Sequence, residues 1–295
     1  MKKSIYFIIN PISGTGKKAQ LPKLIDKYLD KTLFDYKIIY SEYCKHAKEI
    51  AAQAAHDGVD IVCAVGGDGS VHEVGTALIG TKTALAILPV GSGNGLARHL
   101  RIPLKIEKAI QCINEQNQLL MDTGLVNDKP FLGIGGYGFD ALIAEKFNKS
   151  GKRGMWNYVK LIAREFYSFK PISIRIELPN FKRELPVVLC TLANASEFGN
   201  GFCISPTSSV TDGKLELCLL KPFKFWKAPM IAYHYFKKTS YKSQFTEVIS
   251  LEKARITLNQ RMGHYDGEPF EVRKELNIQV VPKSLHVLTG MKSSN

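Results

Sequence analysis

The chain contains no CxxC pair: its six cysteines, Cys44, Cys63, Cys112, Cys190, Cys203 and Cys218, stand apart in 295 residues. Several lie inside apolar runs such as Ile61-Val62-Cys63-Ala64-Val65. That pattern reads as reduced core cysteine and excludes a disulfide scaffold or a zinc cage. Also missing is any uninterrupted apolar stretch of about 18 residues, so no segment has the length and character of a membrane-spanning helix. The opening Met1-Lys2-Lys3-Ser4 and the short apolar run behind it resemble a leader only superficially. The run stops at Asn10-Pro11 without a cleavage-site pattern and reads as a first β-strand. There is no low-complexity tract, no internal repeat and no Gly/Ser- or Pro-rich linker, which excludes disorder and solenoid architectures. A cytoplasmic protein is the expectation. Acidic residues are in short supply, 27 against 40 basic ones, for a net charge of +13. Such a balance suits nucleotide phosphates, an anionic membrane face or nucleic acid, and equally a merely solubilising surface.

What is present is ordinary globular composition, 45% hydrophobic and 23% charged, in a chain long enough for two domains. Continuous apolar runs at Ile5–Ile9, Asp35–Tyr40, Asp60–Val65 and Ala84–Val90 suit strands buried on both faces. Helical patterns over Lys45–His56 and Val71–Ile79 lie between them. Strand and helix in alternation predict a parallel sheet wrapped by helices over residues 1–121. Beyond about Asp122 the pattern changes to short strands with turn signals: Phe131–Ile134, Ile172–Leu178, Pro186–Leu192, Leu215–Leu220, Ala254–Leu258 and Leu276–Val281. Helical stretches near Phe139–Phe147 and Trp156–Ser168 interrupt them. A second, mainly antiparallel β domain is expected over 122–283, with the tail from about 284 to 295 returning to the first domain. A cleft between two such domains is the default place for a ligand.

Three glycine loops carry the chemistry. Val65-Gly66-Gly67-Asp68-Gly69-Ser70 falls where an apolar strand ends and a helix begins. Glycines there let backbone amides approach phosphate oxygens, and the helix start adds positive partial charge. Asp68 would be awkward in an anion cradle unless a cation accompanies the phosphate, as magnesium does with ATP. Leu88-Pro89-Val90-Gly91-Ser92-Gly93-Asn94-Gly95 repeats the arrangement, and Asn10-Pro11-Ile12-Ser13-Gly14-Thr15-Gly16-Lys17 closes the first strand similarly. At the C-terminal ends of parallel strands these loops would converge on one crevice. Far along the chain, Tyr265-Asp266-Gly267-Glu268-Pro269 is a turn with two carboxylates, one of which could take the proton of an acceptor hydroxyl.

In their order, NPISGTGK, GGDGS followed by Val71, His72 and Glu73, LPVGSGNGLA, GGYGFDA around Asp140, and YDGEP, these segments resemble the diacylglycerol kinase catalytic-domain family. That family includes bacterial lipid kinases, sphingosine kinases and ceramide kinases, and the resemblance covers nearly the whole chain. It implies a phosphofructokinase-like three-layer α/β nucleotide domain followed by a β-sandwich, and transfer of a phosphoryl group from ATP to a lipid hydroxyl. It implies that Asn10, Ser41, Gly66, Gly67, Asp68, Gly69, Ser70, Val71, His72, Glu73, Ser92, Gly93 and Asn94 hold ATP. Glu268 is the implied general base, with Asp68 the alternative by analogy to the sphingosine kinases. Bacterial members carry a structural magnesium at an Asp-Gly turn, which here points to the side chain of Asp212 with the carbonyls of Ser209 and Lys214. Bacterial diacylglycerol kinases usually have aspartate after the asparagine of the third loop where this chain has Gly95, and sphingoid-base kinases commonly have serine where it has Gly66. The acceptor lipid is therefore left open.

Other classes fit less well. Gly133-Ile134-Gly135-Gly136-Tyr137-Gly138 matches GxGxxG, but no acidic residue follows at the distance a dinucleotide ribose requires. Gly16-Lys17 lacks the remainder of a P-loop, His72-Glu73 lacks the second histidine of HExxH, and no GxSxG is present. NAD kinase shares a GGDG loop and is the nearest rival. A nucleic-acid binder is the non-enzyme alternative, yet no recognised module supports a dedicated nucleic-acid partner. The expected partner is a lipid substrate met peripherally at the membrane surface, and a homodimer is an open alternative to a monomer. Lys146, Lys149, Lys152 and Arg153 precede a helical stretch whose Val159, Ile162, Ala163 and Phe166 form an apolar stripe. That stripe is either a membrane contact or an ordinary packing face.

Overall fold

The computed structural model describes residues 2–11, 20–150, 155–179, 181–260 and 262–291. Ile12 to Lys17 of the opening motif, and Lys152 and Arg153, lie outside them. The chain divides into two units, Met1–Asp122 with Lys283–Asn295, and Thr123–Pro282.

In the first unit, strands β1 (Lys3–Ile9), β2 (Phe34–Tyr40), β3 (Ile61–Gly66) and β4 (Ala84–Pro89) form a parallel sheet in the order β2-β1-β3-β4. β3 and β4 are buried at every residue, as continuous apolar runs covered on both faces must be. Helices α1 (Leu21–Tyr28), α2 (His46–His56), α3 (Asp68–Leu78), α4 (Gly95–His99) and α5 (Ile106–Glu115) surround it. α1 packs with α5, and α2 with α3. Right-handed crossovers put these pairs on opposite faces, because the chain moves one way from β1 to β2 and the other way from β2 to β4. α2 turns Ala47, Ala51 and Ala54 inward at i, i+4 and i+7, and so lies close against its neighbours.

The second unit is a β-sandwich. β5 (Gln118–Val126) leads into it and pairs with β6 (Lys129–Phe131). One sheet holds β7 (Ile134–Gly138), β10 (Leu189–Ala193), β13 (Leu215–Leu220), β14 (Thr246–Leu251), β16 (Met262–Tyr265) and β17 (Glu268–Glu271). The facing sheet has β8 (Ile172–Leu178), β9 (Phe181–Val187), β15 (Lys253–Leu258) and the first half of β18 (Glu275–Leu288). A small hairpin, β11 (Glu197–Gly199) and β12 (Phe202–Cys203), stands apart. The run Pro186–Leu192, expected as one strand, is two: β9 pairs with β8, β10 with β7 and β13, and the chain changes sheets at Val188.

β13 shows how the core is divided. Leu215, Leu217 and Leu219 point into the space between the sheets with Phe131, Tyr137 and Ile256, whereas Cys218 and Leu220 point to the opposite face. That face is covered by α6 (Phe139–Ser150), α7 (Met155–Phe166) and α8 (Ala228–Phe236). The period of two along the strand thus requires two apolar layers. Ile162 and Phe166 of the stripe on α7 belong to the second layer, where Phe166 packs edge-on to Phe139 and stacks on Phe223. Lys146 pairs with Glu165 and Lys149 with Glu145. Ile162 and Phe166 therefore serve the packing of this unit, while Ala163 is exposed.

Candidate active site

The C-terminal ends of the four parallel strands are level. Ile9 is in register with Tyr40 and with Val65, and Gly66 with Pro89. The strand order reverses between β1 and β3, which is where a crevice opens at the carboxyl edge of such a sheet. Asn10 donates its backbone N–H to the Val65 carbonyl at 3.5 Å, and Ser41 donates to that of Ile9 at 3.0 Å. Asn10, Ser41 and the Gly66–Asp68 turn are thereby gathered along one edge.

Gly67 and Asp68 begin α3, and Asp68 ties this turn to the next loop. Its Oδ2 accepts the N–H of Asn94 at 2.9 Å and its Oδ1 that of Gly95 at 2.7 Å. Asn94 is left-handed, φ 55°, a conformation asparagine tolerates. Its side-chain amide closes the loop on itself: Oδ1 accepts from Gly91 N–H at 3.1 Å, and Nδ2 donates to the Gly91 carbonyl at 2.8 Å. Arg98 Nε donates to the Gly93 carbonyl at 3.1 Å, and Val90 N–H to the Gly66 carbonyl at 3.0 Å. The two loops touch through bare backbone, since a Cβ on Gly67 would lie 3.2 Å from Gly91 Cα and one on Gly91 would collide with Gly67 Cα. Side chains on either residue would pry the loops apart.

The first turn of the 11-residue α3 offers backbone N–H groups with no partner inside the helix, flanked by glycines that keep the approach open. That donor set fits phosphate oxygens. Ser70 and Val71 are buried, His72 and Glu73 half-buried, and Ser92 is exposed at the tip of the third loop. Glu73 Oε1 accepts the N–H of Lys45 at 3.4 Å, drawing the segment after Ser41 toward α3.

Glu268 lies in the second unit, exposed at the start of β17 opposite Tyr265. The intervening Asp266 and Gly267, with φ of 50° and 87°, make the two-residue hairpin turn that Asp-Gly favours. Asp266 does more than turn the chain. Its Oδ1 accepts the N–H groups of Gly133 at 2.8 Å and Ile134 at 3.0 Å, and its Oδ2 that of Leu132 at 3.0 Å. Behind the turn, Asp140 is buried, accepting the Thr191 hydroxyl at 2.9 Å and facing His264 Nε2 at 3.5 Å. Gly267 N–H donates to His264 Nδ1 at 3.4 Å, which leaves the ring proton on Nε2, toward Asp140. Gly136 has no side chain because Asp140 and His264 occupy the space its Cβ would need. The GxGxxG segment is accordingly a strand in an antiparallel sheet, paired with β10 and β16, and not a dinucleotide loop.

The roles of Asp266 and Asp140 were not legible from local motifs, since the Leu132 amide and the Thr191 hydroxyl they accept from lie 134 and 51 positions away. A buried aspartate just after a glycine-rich strand was the one available signal.

At the Asp-Gly turn of the second unit, Asp212 is exposed and its Oδ1 accepts Lys214 N–H at 3.0 Å, with Gly213 at φ 73°. Glu216 stands close enough that burial, together with the charge of Asp212, raises its carboxyl above the usual range. The Asp212 carboxylate and the carbonyls of Ser209 and Lys214 would make an all-oxygen donor set, the chemistry that fits a hard cation such as magnesium. Among the described residues no group of three or more His, Cys, Asp and Glu side chains could hold a metal.

Two family models match the chain: the diacylglycerol kinase catalytic domain over residues 4–126, and the YegS C-terminal NAD kinase beta sandwich-like domain over 133–289. The chain belongs to the diacylglycerol kinase catalytic-domain family, a kinase family, in its YegS-type two-domain form. It is 31% identical over 180 residues to a protein of Chromohalobacter salexigens named "Probable lipid kinase YegS-like", a match covering 59% of this chain and 58% of that protein. It is 27% identical over 220 residues to a diacylglycerol kinase of Mycobacterium tuberculosis, covering 72% of this chain and 71% of that one. A crystal structure of a diacylglycerol kinase from Bacillus anthracis str. Sterne shares the fold, with a TM-score of 0.76 at 19% identity over 98% of this chain and 97% of that one.

Proposed function

We propose that this protein transfers the γ-phosphoryl group of ATP to a hydroxyl of a lipid, of the diacylglycerol or sphingoid-base class. The observation that carries the reading is the pairing of Asp68 with the amides of Asn94 and Gly95, which joins two glycine loops at the reversal point of a parallel sheet. The names of the relatives give it its lipid direction.

On this reading the residues from Gly66 to Glu73, with Asn10, Ser41 and Ser92 to Asn94, hold the nucleotide. Backbone N–H groups at the start of α3 carry the phosphate charge, and the glycines keep side chains out of their way. Asp212, with the carbonyls of Ser209 and Lys214, would hold a structural magnesium that braces the turn, and magnesium bound with the nucleotide would neutralise phosphate charge. Glu268 takes the proton of the acceptor hydroxyl as its oxygen bonds to the γ-phosphorus and the bond to the β–γ bridging oxygen breaks, releasing ADP. Asp68 is less suited to that task, because both its oxygens already accept backbone hydrogen bonds.

The test is incubation with magnesium and γ-labelled ATP against diacylglycerol, monoacylglycerol, sphingoid bases, ceramide and NAD, with Glu268→Ala in parallel. Label in one lipid, lost in the variant, is the expected result. Label in NAD alone would replace this reading with that of an NAD kinase, in keeping with the likeness of the second unit to that enzyme's sandwich.

A further inference from the structure

The described residues include eleven large hydrophobic side chains exposed to solvent, and six of them, Phe225, Trp226, Met230, Tyr233, Phe236 and Tyr241, fall in one short segment. The segment is a 3-10 turn (Phe225–Lys227), α8, and a second 3-10 turn (Ser240–Lys242). α8 buries Ile231 and Tyr235 against the sandwich, while Met230, Tyr233 and Phe236, three residues apart, point outward. A helix apolar on both faces requires a second apolar surface, and contiguous exposed patches of this kind mark interaction sites.

The charges identify what covers it. From Lys221 to Thr246 there are six lysines and no acidic residue. Lys221 pairs with Glu247 and Lys238 with Glu197. The other four lie over aromatic rings: Lys224 over Trp226 at 5.1 Å, Lys227 over Phe245 at 4.9 Å, Lys237 over Tyr233 at 6.0 Å and Lys242 over Tyr241 at 5.9 Å. Protein interfaces are depleted in lysine. Tryptophan, tyrosine and phenylalanine interleaved with lysines whose stems can run along apolar surface are the composition of a membrane interface, with rings at headgroup depth and ammonium groups among lipid phosphates. No described helix is long and apolar enough to cross a membrane, so this contact lies on the surface of the bilayer.

We propose that Phe225, Trp226, Met230, Tyr233, Phe236 and Tyr241, with Lys224, Lys227, Lys237 and Lys242, dock the protein on an anionic lipid bilayer. The purpose of docking rests on the lipid-acceptor reading above, but the surface does not, and it is measured without ATP. Ile162 and Phe166 of α7 pack inside their own unit and take no part in this contact.

The chain has two tryptophans, so Trp156→Phe leaves Trp226 as the sole reporter. Its emission should shift to the blue on vesicles containing about one-third anionic lipid, and brominated acyl chains should quench it. Each lysine near an anionic surface contributes about fivefold in partitioning, so Lys224→Gln with Lys237→Gln should lower vesicle binding by roughly tenfold or more, as should Phe225→Ser with Trp226→Ser. These side chains are exposed, and the variants should keep the urea midpoint of the parent. Transfer to a short-chain acceptor in detergent micelles should be unchanged while transfer on vesicles falls. If the vesicle variants bind like the parent, or Trp226 is not quenched, the surface is wrong even where lipid phosphorylation is observed. If Trp226 instead responds to protein concentration or to single-stranded nucleic acid, the patch is a self-association or nucleic-acid surface and the proposal falls. Docking without any lipid phosphorylation would leave the surface standing and remove the acceptor reading.

Discussion

The carboxylate of Asp68 caps a helix it does not belong to: its Oδ2 lies 2.9 Å from the backbone nitrogen of Asn94, at the start of α4. α4 has no side-chain cap of its own, and Asp68 supplies one from the start of α3, 26 residues earlier. Asp68→Asn would turn an amide donor toward a backbone donor, and Asp68→Ala would leave two N–H groups without their acceptor. Either should cost about 1–3 kcal/mol of stability, and because the two glycine loops would separate, ATP affinity should fall at least tenfold. Urea unfolding and titration with a fluorescent ATP analogue check this together. A variant with unchanged stability and ATP affinity but no turnover would give Asp68 a chemical role instead.

Asp266 and Glu268 stand two residues apart and should respond in opposite ways. Asp266→Ala removes the acceptor of three backbone amides, and about 3 kcal/mol of destabilisation is expected. Glu268→Ala changes an exposed residue and should alter stability by no more than about 0.5 kcal/mol, while transfer to the lipid hydroxyl is lost. Thermal unfolding beside a turnover assay separates them.

The alternation of apolar runs with glycine turns made the first unit legible, since a strand buried on both faces leaves a continuous hydrophobic signature. The loops at the ends of β3 and β4 were legible for the same reason. Asp68 was visible as a residue but its partner was not, because the pairing is made across 26 positions by backbone groups that every residue shares. The hydrogen bonds of Asp266 and the burial of Asp140 against His264 were hidden in the same way. α8 was missed because a helix apolar on both sides shows no strong helical period, although its surplus of lysine and aromatic residues was in plain view.

Thiol reactivity should single out Cys44. It is exposed, whereas the other five cysteines are buried. Burial raises the thiols of Cys112 and Cys203 to about 11, and those of Cys63, Cys190 and Cys218 higher still. At pH 8 a disulfide reagent should titrate one fast thiol in the native protein, absent in Cys44→Ser, and all six in denaturant.

Acid should weaken the second unit through Glu247. Hydrogen bonds from Lys221 first, and then from Arg183, hold its carboxyl below the ordinary glutamate value of 4.5. A carboxylate depressed in the folded state contributes stability that is complete above the unfolded value and is lost as the pH falls through the folded one. Wild-type protein should exceed Glu247→Gln by about 1 kcal/mol near pH 7, with the gap closing below pH 4.5 as measured by urea midpoints at each pH.

The final stretch of β18 belongs to the first unit. Val287 pairs with Leu85 of β4, Lys283 N–H donates to Asp122 at 2.7 Å, and Gly80 N–H donates to the Ser284 carbonyl at 2.8 Å. During synthesis β1 to β4 emerge early but lack this strand until the whole sandwich has been made, a delay on the order of ten seconds at ribosomal rates. Through that interval the flank of β4 is an open sheet edge, the kind of surface that pairs with other chains. The first unit, begun earliest, is completed last, and nascent-chain aggregation should concentrate there.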